Sequence, residues 1–145
     1  MKQIMIGAGC AIAIGIGYFA FTHATTYPTE NQSPNSELGT AMVNVTVPPD
    51  LSEMAQIGKS AFDATCATCH GENAAGSAGF GPPLVHKIYE PSHHGDMSFF
   101  LAVDQGVRAH HWKFGNMPAQ EGLTKGDVTA IVAYVRELQR ANGIN

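Results

Sequence analysis

The sequence predicts an all-α protein: a small domain of about three to four helices, preceded by an N-terminal hydrophobic helix and a linker. Two observations carry this. Residues 4–21 are almost wholly apolar. Beyond residue 51, apolar residues recur at helical spacing in three stretches, and no convincing strand pattern interrupts them.

Residues 1–24 form the first segment. Ile4 to Phe21 is apolar apart from several glycines, with Lys2 just before it. The run matches the roughly 17–25 residues that cross a bilayer as a helix. We expect an uncleaved signal-anchor, with Lys2 on the cytoplasmic side and the remainder on the periplasmic side of the membrane. A signal cleaved near Thr22-His23-Ala24 and lipidation at Cys10 are the alternatives. Residues 25–50 are rich in Thr, Asn, Ser and Pro and read as a linker. The alternative is an arm packed on the domain, with a short strand through Val43, Val45 and Val47.

Residues 51–145 are expected to form the domain. Ser52 caps a helix whose apolar stripe is read as Met54, Ile57, Ala61 and Phe62. Gly71 to Pro83 is a glycine-rich loop. Met97 to Gln105 reads as a short helix stopped at Gly106, with Met97 a core residue. Thr124 to Asp127 resembles a capping box. Val128, Ile131, Val132, Val135 and Leu138 then mark the apolar face of a last helix, ended by Gly143.

Of the 145 residues only 14% are charged, and the net charge is -4. No basic run exists, which excludes the electrostatic footprint of nucleic-acid binding. The mild acidic excess favours basic docking partners only weakly. Three cysteines are too few for a disulfide framework.

Cys66-Ala67-Thr68-Cys69-His70 is a C-x-x-C-H segment, the attachment signal for c-type haem. Two thiols one helical turn apart match the two porphyrin vinyl groups. The following imidazole is then carried beneath the iron. A thioredoxin-like pair wants a preceding strand and a βαβ frame, and neither is visible. A zinc site wants further cysteines or well-spaced histidines, and no second C-x-x-C exists.

With these residues in place, the chain resembles the class I (mitochondrial-type) c-type cytochrome family, in a membrane-anchored bacterial monohaem form. The resemblance covers about Ser52 to Asn145. Gly58 and Phe62 before Cys66, Tyr134 on the last helix, Gly81-Pro82-Pro83-Leu84 and Met117-Pro118 all stand in matching places. It implies one covalent haem c held by Cys66 and Cys69. It implies that the Pro82 carbonyl meets the far ring nitrogen of His70, that Leu84 packs on the haem, and that Gly58 and Phe62 meet Tyr134.

For the second axial ligand the expectation is Met117, giving His70 and Met117 as the iron ligands. Met97 and a histidine, His110 or His111, are the rivals. A thioether is a soft ligand that favours ferrous iron. With both axial positions filled, no open site remains for substrate. The function expected is therefore single-electron transfer, not enzymatic turnover. Partners would be a donor dehydrogenase or reductase and an acceptor oxidase. The alternatives are a haem subunit of a periplasmic oxidoreductase, or a haem protein with a second metal.

His86, His93, His94, His110 and His111 all fall between the two expected ligands. They read as haem-edge or exposed histidines, as a second copper or zinc site, or as a pH-linked control on potential. Trp112 and Arg108 are candidate donors to haem propionates. The domain is small enough that haem is expected to serve as part of its core.

Overall fold

A computed structural model describes residues 37–145. The membrane anchor expected over residues 1–24, and residues 25–36 of the expected linker, lie outside the described residues. Among the described residues, no helix is long and apolar enough to cross a membrane.

The fold is all-helical. Four α-helices run in order: α1 (Glu53–Thr65), α2 (Ala67–His70), α3 (Asp96–Gln105) and α4 (Lys125–Ala141). Two short 3-10 turns, Glu72–Ala74 and Lys87–Tyr89, punctuate the long connection from α2 to α3. No strand forms among the described residues; only two isolated bridges do, Ser77 with Gly81 and Val107 with Met117.

Helix α1 starts where Ser52 accepts a hydrogen bond from the Ala55 N–H at 3.2 Å. The same hydroxyl donates to Glu137 Oε1 at 2.6 Å, which ties the start of α1 to α4. The buried stripe of α1 is Ala55, Gly58 and Phe62. This corrects the expected stripe: Met54 and Ile57 are 48% and 58% exposed. The reason is Gly58. A Cβ there would lie 1.9 Å from the Ala130 carbonyl oxygen, so α1 and α4 cross backbone to backbone at this point. The crossing rotates the glycine face inward and turns Met54 and Ile57 out.

Helix α4 carries the capping box that its sequence predicts. Thr124 N–H donates to Asp127 Oδ2 at 2.8 Å, and Asp127 N–H donates back to Thr124 Oγ1 at 3.2 Å. Hydrogen bonds to the Thr124 hydroxyl and backbone hold the Asp127 carboxyl below its ordinary range. The apolar face of α4 packs on α1. Ala55, Phe62, Ala74, Tyr134, Val135 and Leu138 are fully buried, and Leu84, Val85 and Ile131 complete the cluster.

The expected linker ends earlier than residue 50. Residues 37–50 are an extended arm laid on the domain. Gly39 N–H donates to the Ala78 carbonyl, Ala78 N–H donates to that of Thr40, and Met42 and Val43 N–H both donate to that of Ala75. Thr46 and Asn142 exchange two hydrogen bonds at 2.9 and 2.8 Å. Val45 packs against the core. Its alternation with polar neighbours provides one apolar edge, while the arm's backbone groups pair with loop carbonyls and a side-chain amide rather than with a strand.

Helix α3 is capped by Gly95 and starts at Asp96, one residue before the expected Met97, and it stops at Gly106 as its spacing predicts. Met97 is 66% exposed, so it is a surface residue of the first turn and not a core one.

Candidate functional site

Helix α1 delivers Cys66, whose N–H still bonds the Phe62 carbonyl at 2.7 Å. Cys66 then starts α2, and His70 closes it through an N–H bond to the Cys66 carbonyl at 2.9 Å. The C-x-x-C-H segment is thus a single helical turn, the geometry its spacing predicts. Its side chains open on a cavity of about 640 Å³ lined by Cys66, Cys69, His70, Pro82, Leu84 and Met117. Phe99, Leu101 and Ala102 of α3 and Val128 and Ile131 of α4 supply apolar walls.

The His70 ring is oriented from behind. Its Nδ1 lies 2.9 Å from the Pro82 carbonyl oxygen. A carbonyl only accepts, so Nδ1 carries the proton and Nε2 keeps its lone pair. Burial holds His70 below the ordinary imidazole range, and the Pro82 carbonyl offsets part of that. Burial and the tautomer together favour the neutral ring, with Nε2 free to donate to a metal.

The Cys66 thiol is unlike that of a redox dithiol. Burial, and then the neighbouring Cys69, push the Cys66 thiol up to about 11. A dithiol oxidoreductase or a thiolate zinc site needs the opposite shift. Two cysteines one helical turn apart beside an apolar cavity suit thioether links.

Met117 is placed by a glycine. Gly106 has φ +74, and a Cβ on it would lie 2.5 Å from the Met117 carbonyl oxygen. The chain turns there so closely that Val107 and Met117 pair, with N–H to carbonyl distances of 2.9 and 3.0 Å. Helix α3 and the Met117 loop are joined through that one turn.

Trp112 also lines the cavity, and its Nε1–H is buried with no hydrogen-bond partner among the described residues. Burial raises the Tyr89 hydroxyl above its ordinary range, and the nearby Trp112 indole offsets part of this. The two make no well-formed hydrogen bond. An orphaned buried donor facing an apolar cavity fits a propionate-bearing group. Arg108 is exposed and does not line the cavity, so of the two expected propionate donors only Trp112 is in place. The neutral imidazole, thioether, two thiols and orphan indole together fit haem.

The five histidines separate into two sets. The His86 ring packs edge-on to Trp112 at 5.2 Å, and its Nδ1 accepts from the Ile88 N–H. His93, His94, His110 and His111 gather elsewhere, with the His110 and His111 ring centroids 4.3 Å apart. Desolvation, and then His110, His94 and His93, hold His111 below the ordinary imidazole range.

The sequence reading missed Arg136 and Gln139. Arg136 is 6% exposed. It donates to the Tyr89 carbonyl at 2.7 Å, the His94 carbonyl at 2.6 Å and Asp96 Oδ1 at 2.8 Å. Gln139 donates to the Leu84 carbonyl at 2.8 Å. Together they fasten the loop between Leu84 and Asp96 onto α4. The signal was their position: Val132, Arg136 and Gln139 follow one another at helical spacing beside the apolar face.

A small helical domain whose C-x-x-C-H turn opens on an apolar cavity defines the class of haem-attaching electron carriers. Residues 55–139, more than half of the chain, match the family model described as Cytochrome c, and the chain belongs to that family. It is a haem-containing electron-transfer protein with covalently bound haem c. No curated relative matches the sequence.

Proposed function

We propose that the protein is a membrane-tethered single-electron carrier whose iron is ligated by His70 and Met117. The observation that carries this reading is one cavity lined by Cys66, Cys69, His70 and Met117, with the Pro82 carbonyl setting the His70 tautomer. When bound, haem supplies an iron that cycles between ferrous and ferric forms.

The chain's own residues do the rest. His70 offers Nε2 as a neutral donor. Met117 offers a soft sulfur that favours the reduced metal. Phe99, Leu101 and Ile131 exclude water from the cavity walls. Trp112 Nε1–H offers a donor to a propionate. With His70 and Met117 both holding the iron, no open position would be left for a substrate, and the protein would carry electrons without catalysing a reaction of its own. Segment 1–24 would hold the domain on the periplasmic face of the cytoplasmic membrane. Tethering confines the search to the membrane plane and raises the effective concentration near a donor dehydrogenase or reductase and an acceptor oxidase.

The competing ligands are His94, His110 and His111, which line the same cavity. Near-infrared and carbon monoxide measurements separate the readings. Methionine ligation predicts a weak near-infrared band in the ferric protein and no carbon monoxide binding. Met117→Ala should lose the band and bind carbon monoxide quickly. Rapid binding by the unaltered protein would reject the carrier reading in favour of an enzyme or sensor.

A further inference from the structure

His93 and His94 precede α3, and His111 follows it, yet their rings meet. The His93 centroid lies 4.6 Å from that of His94, and His111 lies 5.3 Å from both. One ring nitrogen from each falls within 4.8 Å of the others. Three ligands at 2.0–2.1 Å from one tetrahedral centre stand about 3.4 Å apart. His93 and His111 are exposed and free to close that difference by side-chain rotation.

His94 is the fixed member. Its Nδ1–H donates to the Ile88 carbonyl at 2.6 Å, which leaves Nε2 as the ligand atom. Its own carbonyl is held by Arg136 at 2.6 Å. A backbone carbonyl behind a metal-binding imidazole fixes its tautomer and raises its basicity. His110, next in line, has the same arrangement, its Nδ1 lying 2.8 Å from the Arg108 carbonyl.

We propose that His93, His94 and His111 bind one divalent transition cation of the zinc or copper(II) class, at the edge of the haem cavity. An all-imidazole donor set with no carboxylate selects this class over calcium and magnesium. The site lies outside the Cys66–His70 turn and Met117. Because His94 and His111 also line the haem cavity, the proposal rests on the reading that Met117 and not a histidine holds the iron, which the near-infrared band reports separately from zinc binding.

Zinc is the appropriate probe because it does not change oxidation state against the haem. The full-length haem-loaded protein would be titrated with zinc in competition with a chromophoric chelator. His93→Ala and His111→Ala would be titrated alongside, both being exposed positions that leave the fold intact. We expect one zinc per chain with Kd of about 10 µM or tighter, weakened at least about tenfold in each variant. No binding at about 100 µM zinc, or binding that survives both substitutions, would overturn the proposal.

Discussion

The Phe62 ring meets the Tyr134 ring edge-on, with centroids 5.6 Å apart and planes inclined at 62°. This contact joins the helix that ends at the C-x-x-C-H turn to the last helix of the fold. One turn before Phe62, Gly58 lets the two backbones touch. Gly58→Ala should destabilise the haem-loaded protein by about 3 kcal/mol, because the colliding atom is the Ala130 backbone carbonyl and not a side chain that can swing aside. Guanidinium denaturation measures this. A loss under about 0.5 kcal/mol would mean that the crossing is loose.

Tyr134 is fully buried and donates to Asn73 Oδ1 at 3.0 Å. Burial, then Asp63 and Glu72, push its hydroxyl up to about 12, above an unfolded value of about 10. The folded state thus holds this proton more tightly than the unfolded chain. The resulting stability is fully present below about pH 10 and is lost as pH rises from there toward 12. Tyr134→Phe should flatten the fall in denaturation midpoint over that window.

Arg136 binds two loop carbonyls and a carboxylate at once, and its guanidinium stacks over Phe99 at 5.0 Å. Arg136→Met should cost about 2–4 kcal/mol, since the His94 carbonyl and the Asp96 carboxylate lose a charged donor and the Tyr89 carbonyl keeps only Gln139. Arg136→Lys should recover little, because a compact ammonium cannot span acceptors that the guanidinium reaches separately through Nε, Nη1 and Nη2. Thermal denaturation of the two variants checks both statements.

Trp112→Phe keeps an aromatic ring in the cavity wall and deletes the N–H. A propionate left without that donor keeps more of its negative charge near the iron, which favours the ferric form. The midpoint potential should fall, and Arg108→Ala should leave it nearly unchanged, because Arg108 stands outside the cavity. An unmoved potential in Trp112→Phe would remove the indole from this role.

The cavity wall is apolar and belongs to α1, α3 and α4 together. Cys66→Ala with Cys69→Ala should therefore leave a largely unfolded chain, since the helices lose the flat apolar surface they share. Circular dichroism reads the outcome: native-like helix content in the double variant would show that the protein core alone suffices.

Much of the fold is legible in the sequence. The three longer helices, their caps at Ser52 and Thr124, the stop at Gly106 and the C-x-x-C-H turn are local features, set by hydrogen bonds that reach at most four residues along the chain. Chemistry that sits on one turn of helix is written in consecutive residues. The inward face of α1 was misread because hydrophobicity favours Met54 and Ile57, whereas the close backbone crossing at Gly58 decided the rotation. Residues 37–50 read as a linker because their partners, Ala75, Ala78 and Asn142, are distant in sequence.

By itself, then, the sequence determined where the longer helices lie and that Cys66, Cys69 and His70 share one helical turn, because both depend on neighbours along the chain. Only the tertiary structure decided which of five histidines share a cluster, that Trp112 and not Arg108 faces the cavity, and that Arg136 is buried. Those outcomes depend on α3 and its flanking loops folding against α4. Residues distant in sequence become neighbours there, and desolvation, rather than residue type, sets what each can do.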